Sequence, residues 1–266
     1  TSKRIENATN IEELKVASAR FIRTIRTLYE KGVKVRYISK LISQLNEKLF
    51  NKLFLLTAPQ ELIENSCLII MGSEGRGEQI LRTDQDNALI LSNDCTMKHD
   101  DIMKFTQQFT DHLFDFGYPL CDGNIMVCNP YWVKNIHDFK DEIFNWFHTP
   151  SETNFMNLAI FFDAVAISGD LKLLDSIKEY IFKTSEHAPS FYSHFAKPTL
   201  MFETPLGFFS DFKVDKDTHK DELDLKKGGI FTIVHGTRSL ALENNITITN
   251  TVLRLKELNN LNIIDR

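Results

Sequence analysis

The 266-residue chain contains no apolar run long enough to cross a membrane and no segment resembling a signal peptide, so it reads as a cytoplasmic protein with no membrane partner. Its four cysteines (Cys67, Cys95, Cys121 and Cys128) form no C-x-x-C pair and read as free thiols in a reducing compartment. A basic excess is also missing: 31 Lys and Arg stand against 36 Asp and Glu, a formal net charge of -5. That balance excludes an electrostatic case for binding nucleic acid over a broad face. A small anion such as a nucleotide needs only a local positive pocket. Trp and Tyr are scarce, with 2 and 6 copies, and the aromatic content is carried by 21 Phe, residues that mainly fill cores.

Apolar and charged residues make up 42% and 25% of the chain, the balance of a globular protein with length for a sizeable core. Asn10 followed by Glu13 reads as a helix N-cap with its reciprocal partner. Leu14, Ala17, Phe21, Ile25 and Leu28 then line one face, and Lys31-Gly32 ends the helix. A second helix carries Ile38, Leu41, Ile42, Leu45, Leu49 and Leu53 at the same spacing. Cys67–Met71, Asn87–Leu91 and Ile125–Cys128 read as buried strands, with a helix over about 99–116 capped by Gly117. Helices are expected near 138–148, 153–167, 170–183, 230–244 and 249–259, with an irregular, charge-rich stretch over 205–229. The fold class that follows is α+β: a small mixed sheet with an N-terminal helical hairpin and a C-terminal helical domain. Domain bounds are set at 1–57 for the hairpin, 58–135 for the sheet core and 136–266 for the helical domain.

The chemistry concentrates in residues 70–90. Gly72-Ser73 breaks the first apolar run, and Asp84 and Asp86 stand at the head of the second. Extended backbone alternates its side chains, so the two carboxylates point one way and Gln85 the other. Carboxylates that close repel unless a cation sits between them, and Mg²⁺ or Mn²⁺ with oxygen ligands suits the pair. At Gly72 the absence of Cβ lets the backbone approach a phosphate, turn amides can donate, and the Ser73 hydroxyl adds a hydrogen bond.

Strand, Gly-Ser, ten residues, Asp-x-Asp and strand together resemble the polymerase-β-type nucleotidyltransferase superfamily. Gly75-Arg76-Gly77-Glu78 and Thr83-Asp84-Gln85-Asp86 are similar to motifs of protein-PII uridylyltransferases. The fuller string G-S-E-G-R-G-E-Q-I-L-R-T-D-Q-D-N-A-L-I resembles nucleotidyltransferases attached to CBS and cyclic-nucleotide-binding modules in bacterial signalling proteins. The likeness extends over Cys121-Asp122-Gly123-Asn124, Phe161-Phe162-Asp163 with Gly169-Asp170, Asp224-Leu225-Lys226 and Gly236–Leu242. It implies regulatory modules upstream of Thr1, the chain being a piece of a longer protein.

Carried over by position, the resemblance implies metal binding by Asp84 and Asp86 and triphosphate contacts by Gly72 and Ser73. Arg76 has two readings, a phosphate contact or a salt bridge with Glu78 or another carboxylate that braces the turn. Gln79 and Gln85 are expected to support the loop, and Asn87 to hold a strand end. Asp122 is the candidate third carboxylate, against an ordinary turn Asp beside Gly123. Lys226 and Lys227 could approach a triphosphate across a domain cleft or lie in a solvated loop. Two positions depart from the common pattern: Gln85, where an apolar residue is usual between the paired acids in the superfamily although the closer family shares the glutamine, and Val165, where an arginine often stands. The expected activity is Mg²⁺-dependent transfer of a nucleoside monophosphate from an NTP to an acceptor hydroxyl, on a protein. The alternative is a degenerate module that senses a nucleotide or a partner protein without turnover.

Overall fold

The computed structural model describes residues 2–201 and 229–265. Lys226, Lys227, Asp224 and the rest of the charge-rich stretch lie outside the described residues. The chain opens with a short helix α1 (Ser2–Asn7), then α2 (Ile11–Glu30) and α3 (Val35–Thr57). Asn10 caps α2 through Oδ1, which accepts from the Glu13 amide at 2.9 Å. The returning Glu13 carboxylate takes the Thr9 amide at 2.8 Å, one residue earlier than a capping box requires. Gly32, in the left-handed region at φ 75°, closes the helix as the Val33 amide reaches back to the Leu28 carbonyl.

A short helix α4 (Gln60–Glu64) leads into strand β1 (Ser66–Ile70), followed by the single turn α5 (Gly72–Gly75) and strand β2 (Asn87–Leu91). After α6 (His99–Asp115) come β3 (Val133–Asn135), α7 (Ile136–His148), α8 (Glu152–Phe162), β4 (Val165–Gly169) and α9 (Lys172–Glu186). The described chain then continues with α10 (Pro189–Ala196), α11 (Pro198–Met201), α12 (Phe231–Glu243) and α13 (Thr251–Asn260).

Among the described residues the strands form one mixed sheet in the order β3-β2-β1-β4. β1 pairs antiparallel with both neighbours, Leu68 facing Leu89 on one side and Ser168 on the other, while β2 and β3 run parallel with Leu89 opposite Val133. The fold is therefore α+β, as its sequence pattern implies.

Two expected elements are corrected. Ile125–Cys128 is not a strand: Asn124 is left-handed at φ 55°, the Asn129 amide turns back to the Met126 carbonyl, and the Val127 amide goes to the Asn87 side chain at 2.9 Å. The β2 edge is taken instead by β3. The helix expected over 153–167 stops at Phe162, and Val165–Gly169 becomes β4. Val165 therefore stands on a strand, paired with Ile70. Gly169 at φ 83° permits that pairing, since a Cβ there would collide with the Ser66 carbonyl.

The chain divides into two compact units. The first comprises the described residues up to Ile143 together with Ile160–Tyr180, the second Phe144–Ala159 with the described residues from Ile181 onward. In the first, Leu68, Ile70 and Leu89 join Phe21, Ile25, Ile38, Ile42, Leu49 and Phe54 of the hairpin and Phe105, Phe109 and Leu113 of α6 in one apolar core. Phe54 meets Phe105 and Phe109 edge-on, at 5.6 and 6.4 Å between centroids. The second unit packs Phe147 and Phe155 against Phe191, and buries His235, whose ring bonds the Phe195 carbonyl at 2.6 Å. Arg238 contacts the same ring at 3.0 Å, a packing and capping arrangement. No helix of the described residues is long and apolar enough to cross a membrane.

Candidate metal and phosphate site

The end of β1 and the approach to β2 build one corner of the first unit. The Met71 amide donates to the Asp86 carbonyl at 2.8 Å, extending the β1–β2 ladder one step beyond the strands. That step fixes the backbone of Asp86 beside the Gly72–Ser73 turn. Gly72 has φ 56°, and a Cβ on it would overlap the Asp86 carboxylate. The glycine is thus required twice, for its backbone conformation and for the approach of the acid. Gly75 is equally constrained, because its Cβ would strike the carbonyls of Asp163 and Ile70.

Side-chain alternation holds through the acidic pair. Gln85 is fully buried, its amide donating to the carbonyls of Tyr118 at 3.1 Å and Thr110 at 3.3 Å. Asp84 is exposed and Asp86 half-buried. One carboxylate oxygen of each and the buried Cys121 sulfur lie within 4.8 Å of one another. Two hard carboxylates at this separation fit a small divalent cation. The thiol is pushed up to about 11, chiefly by burial, with backbone amides acting against that and the Asp86 charge adding to it.

Asp122, the candidate third carboxylate, is exposed on the turn, outside this donor group; its neighbour Cys121 supplies the third atom. Sequence reading passed over Cys121 because a single cysteine with no partner cysteine gives no spacing signal.

Behind the turn, Arg76 is held as a brace. Its Nε donates to Glu78 at 2.8 Å and its Nη1 to Asp163 at 2.7 Å, with Asp163 fully buried. Burial works to lower the Arg76 pKa, but the two carboxylates outweigh it and the net direction is upward. Gln79 supports the loop as expected, donating to Ser73 Oγ at 3.3 Å and Thr83 Oγ1 at 2.5 Å. Its carbonyl accepts from Asn46, which in turn accepts from the Tyr118 hydroxyl at 2.6 Å. Asn87 holds the start of β2 by bonding the 125–127 segment through both amide and side chain.

Glu74 gave no signal in the sequence. It is 3% exposed, and both carboxylate oxygens are buried without a hydrogen-bond partner. Burial, reinforced by the Asp86 charge, raises it to about 8. The nearby Asn46 amide offsets this in part, although its hydrogen bond goes to Gln79.

Two family models match. The one described as "Putative nucleotidyltransferase DUF294" covers residues 19–153, and "Putative nucleotidyltransferase substrate binding domain" covers residues 189–266. Against the curated proteins no match is found.

Proposed function

The chain belongs to the DUF294 nucleotidyltransferase family, and from that premise we propose that it transfers a nucleoside monophosphate from an NTP to an acceptor hydroxyl on a protein. The observation that carries this reading is the apposition of the Gly72–Ser73 turn and the Asp84–Asp86 pair, so close that a side chain at Gly72 would overlap Asp86. In this reading Asp84 and Asp86 would hold Mg²⁺, which would supply charge neutralisation at the phosphates. Gly72 and Ser73 hold the triphosphate through first-turn amides, which have no partner within the helix, and through the Ser73 hydroxyl. Gln79 orients that hydroxyl, and Arg76 keeps the turn rigid through Glu78 and Asp163. Catalysis rests on positioning and charge neutralisation. The protein acceptor, a uridylyltransferase-like specificity, a role in bacterial signalling beside CBS or cyclic-nucleotide-binding modules, and separate hairpin, core and helical domains belong to the same proposal. Lys226 and Lys227 enter it only as residues of the chain outside the described structure.

A second reading has its own support. Asp122 is exposed and outside the donor group, so the site has two carboxylates and a thiol in place of three carboxylates. That composition favours a module that binds a nucleotide and relays its presence without turnover.

One experiment separates the two. The chain is incubated with Mg²⁺ and each α-labelled NTP in host lysate, beside calorimetry of Mg²⁺–NTP binding to the native chain and to Asp84→Ala/Asp86→Ala. Transfer of label to a protein, lost in the double variant, is the expected result. Binding that is lost in the variant without labelling selects the sensor, and absence of binding to the native chain overturns both.

A further inference from the structure

We propose that Cys121 is the third donor of a site for a thiophilic divalent cation, with Zn²⁺ as the type case, at the position where Asp84 and Asp86 would hold Mg²⁺. The inference rests on the assignment of the two aspartates made above and adds a mode of regulation to it.

The geometry favours such an ion in two ways. The sulfur and one oxygen from each aspartate lie within 4.8 Å of one another, a spacing that one cation can bridge. Cys121 is 9% exposed whereas Asp84 is exposed, so the thiol enters from the protein side and the solvent side is left for a fourth ligand.

Glu74, on the turn that borders Asp86, supplies a separate observation: it is buried with both carboxylate oxygens unpartnered.

An oxygen–oxygen–sulfur set with one open position matches four-coordinate Zn²⁺, with Zn–S near ~2.3 Å and Zn–O about 2.0–2.2 Å. Mg²⁺ requires octahedral oxygen ligands and draws little from a thiol. On binding, the S–H bond breaks heterolytically, its proton leaves to solvent, and the electron pair forms the S–metal bond. Nothing is oxidised or reduced. An ion so held occupies the position that Mg²⁺–NTP needs, and the Zn²⁺-loaded chain is a blocked form.

The test uses the full chain with Co²⁺ as a spectroscopic substitute, under reducing conditions. A near-ultraviolet sulfur-to-cobalt charge-transfer band is expected, saturating at one ion per chain, bleached by Zn²⁺ and unaffected by equimolar Mg²⁺. Cys121→Ser removes the band and weakens Zn²⁺ at least about tenfold, the loss seen even for outer-shell partners. Cys128→Ser keeps both. Should Cys121→Ser fail to fold, alkylation mapped by mass spectrometry in the native chain gives the same answer: Zn²⁺ protects Cys121 and Mg²⁺ does not. A band that survives Cys121→Ser, no band at all, or alkylation of Cys121 indifferent to Zn²⁺ overturns the proposal. A native chain that shows the band yet binds no Mg²⁺–NTP would keep this site and remove the function proposed above. Binding of Mg²⁺–NTP without the band would do the reverse.

Discussion

Arg76 and Asp163, separated by 87 positions in the chain, meet at 2.7 Å between Nη1 and Oδ2, with the carboxylate wholly enclosed. The pair ties the turn after β1 to the end of α8. Removing one charge of a buried pair with no other partner costs about 3–5 kcal/mol, and here Arg76 keeps Glu78, so the loss is smaller. Asp163→Asn is therefore expected to lower the unfolding free energy read from urea denaturation by about 1–3 kcal/mol, and to weaken Mg²⁺–NTP binding because the turn loses part of its brace. A loss below ~1 kcal/mol would show that Arg76 finds its support elsewhere.

Gly72 and Gly77 make a controlled comparison. Both have positive φ, at 56° and 64°, and an alanine at either carries a left-handed penalty of about 1–2 kcal/mol. Only at Gly72 does the new methyl displace Asp86; at Gly77 it meets the Ser43 hydroxyl oxygen at 3.2 Å. Gly72→Ala is expected to abolish Mg²⁺–NTP binding in calorimetry, and Gly77→Ala to cost similar stability while binding persists. Equal loss of binding in both would mean that backbone strain, not the acid's position, governs the site.

Glu74 gives the fold a pH dependence of known sign. Its carboxyl, ordinarily near 4.5, is raised to about 8 in the folded chain. Between those values the folded state keeps a proton that the unfolded state has released, so its contribution is complete below pH 4.5 and is lost as pH climbs toward 8. The slope for one proton is at most about 1.4 kcal/mol per pH unit. Glu74→Gln, neutral at every pH, should gain on the native chain in thermal melts from pH 5 to pH 8. A difference that stays constant across that range would exclude the mechanism.

Much of this arrangement was legible in the chain because it depends on local periodicity. The hairpin faces, the Asn10 cap, the Gly32 and Gly117 terminators and the buried strands around residues 67–71 and 87–91 are all local signals. So was the opposed placement of Gln85 and the two acids. What escaped has non-local causes. Val165–Gly169 follows helix α8 so closely that its apolar residues continue a helical pattern, and only the vacant edge of β1 makes it a strand. Ile125–Cys128 has the composition of a strand but spends its amides on Asn87 and on its own turn. The Cys121 contact with Asp86 and the isolation of Glu74 arise only when distant segments meet.

The hidden amide of Gln85 has one more consequence, for how variants of this protein would be interpreted. Its side chain reaches the Tyr118 and Thr110 carbonyls on the far side of the loop from the aspartates. A mutational survey scored by activity alone would rank Gln85 beside Asp84 and Asp86, and would credit with chemistry a residue whose work is anchorage.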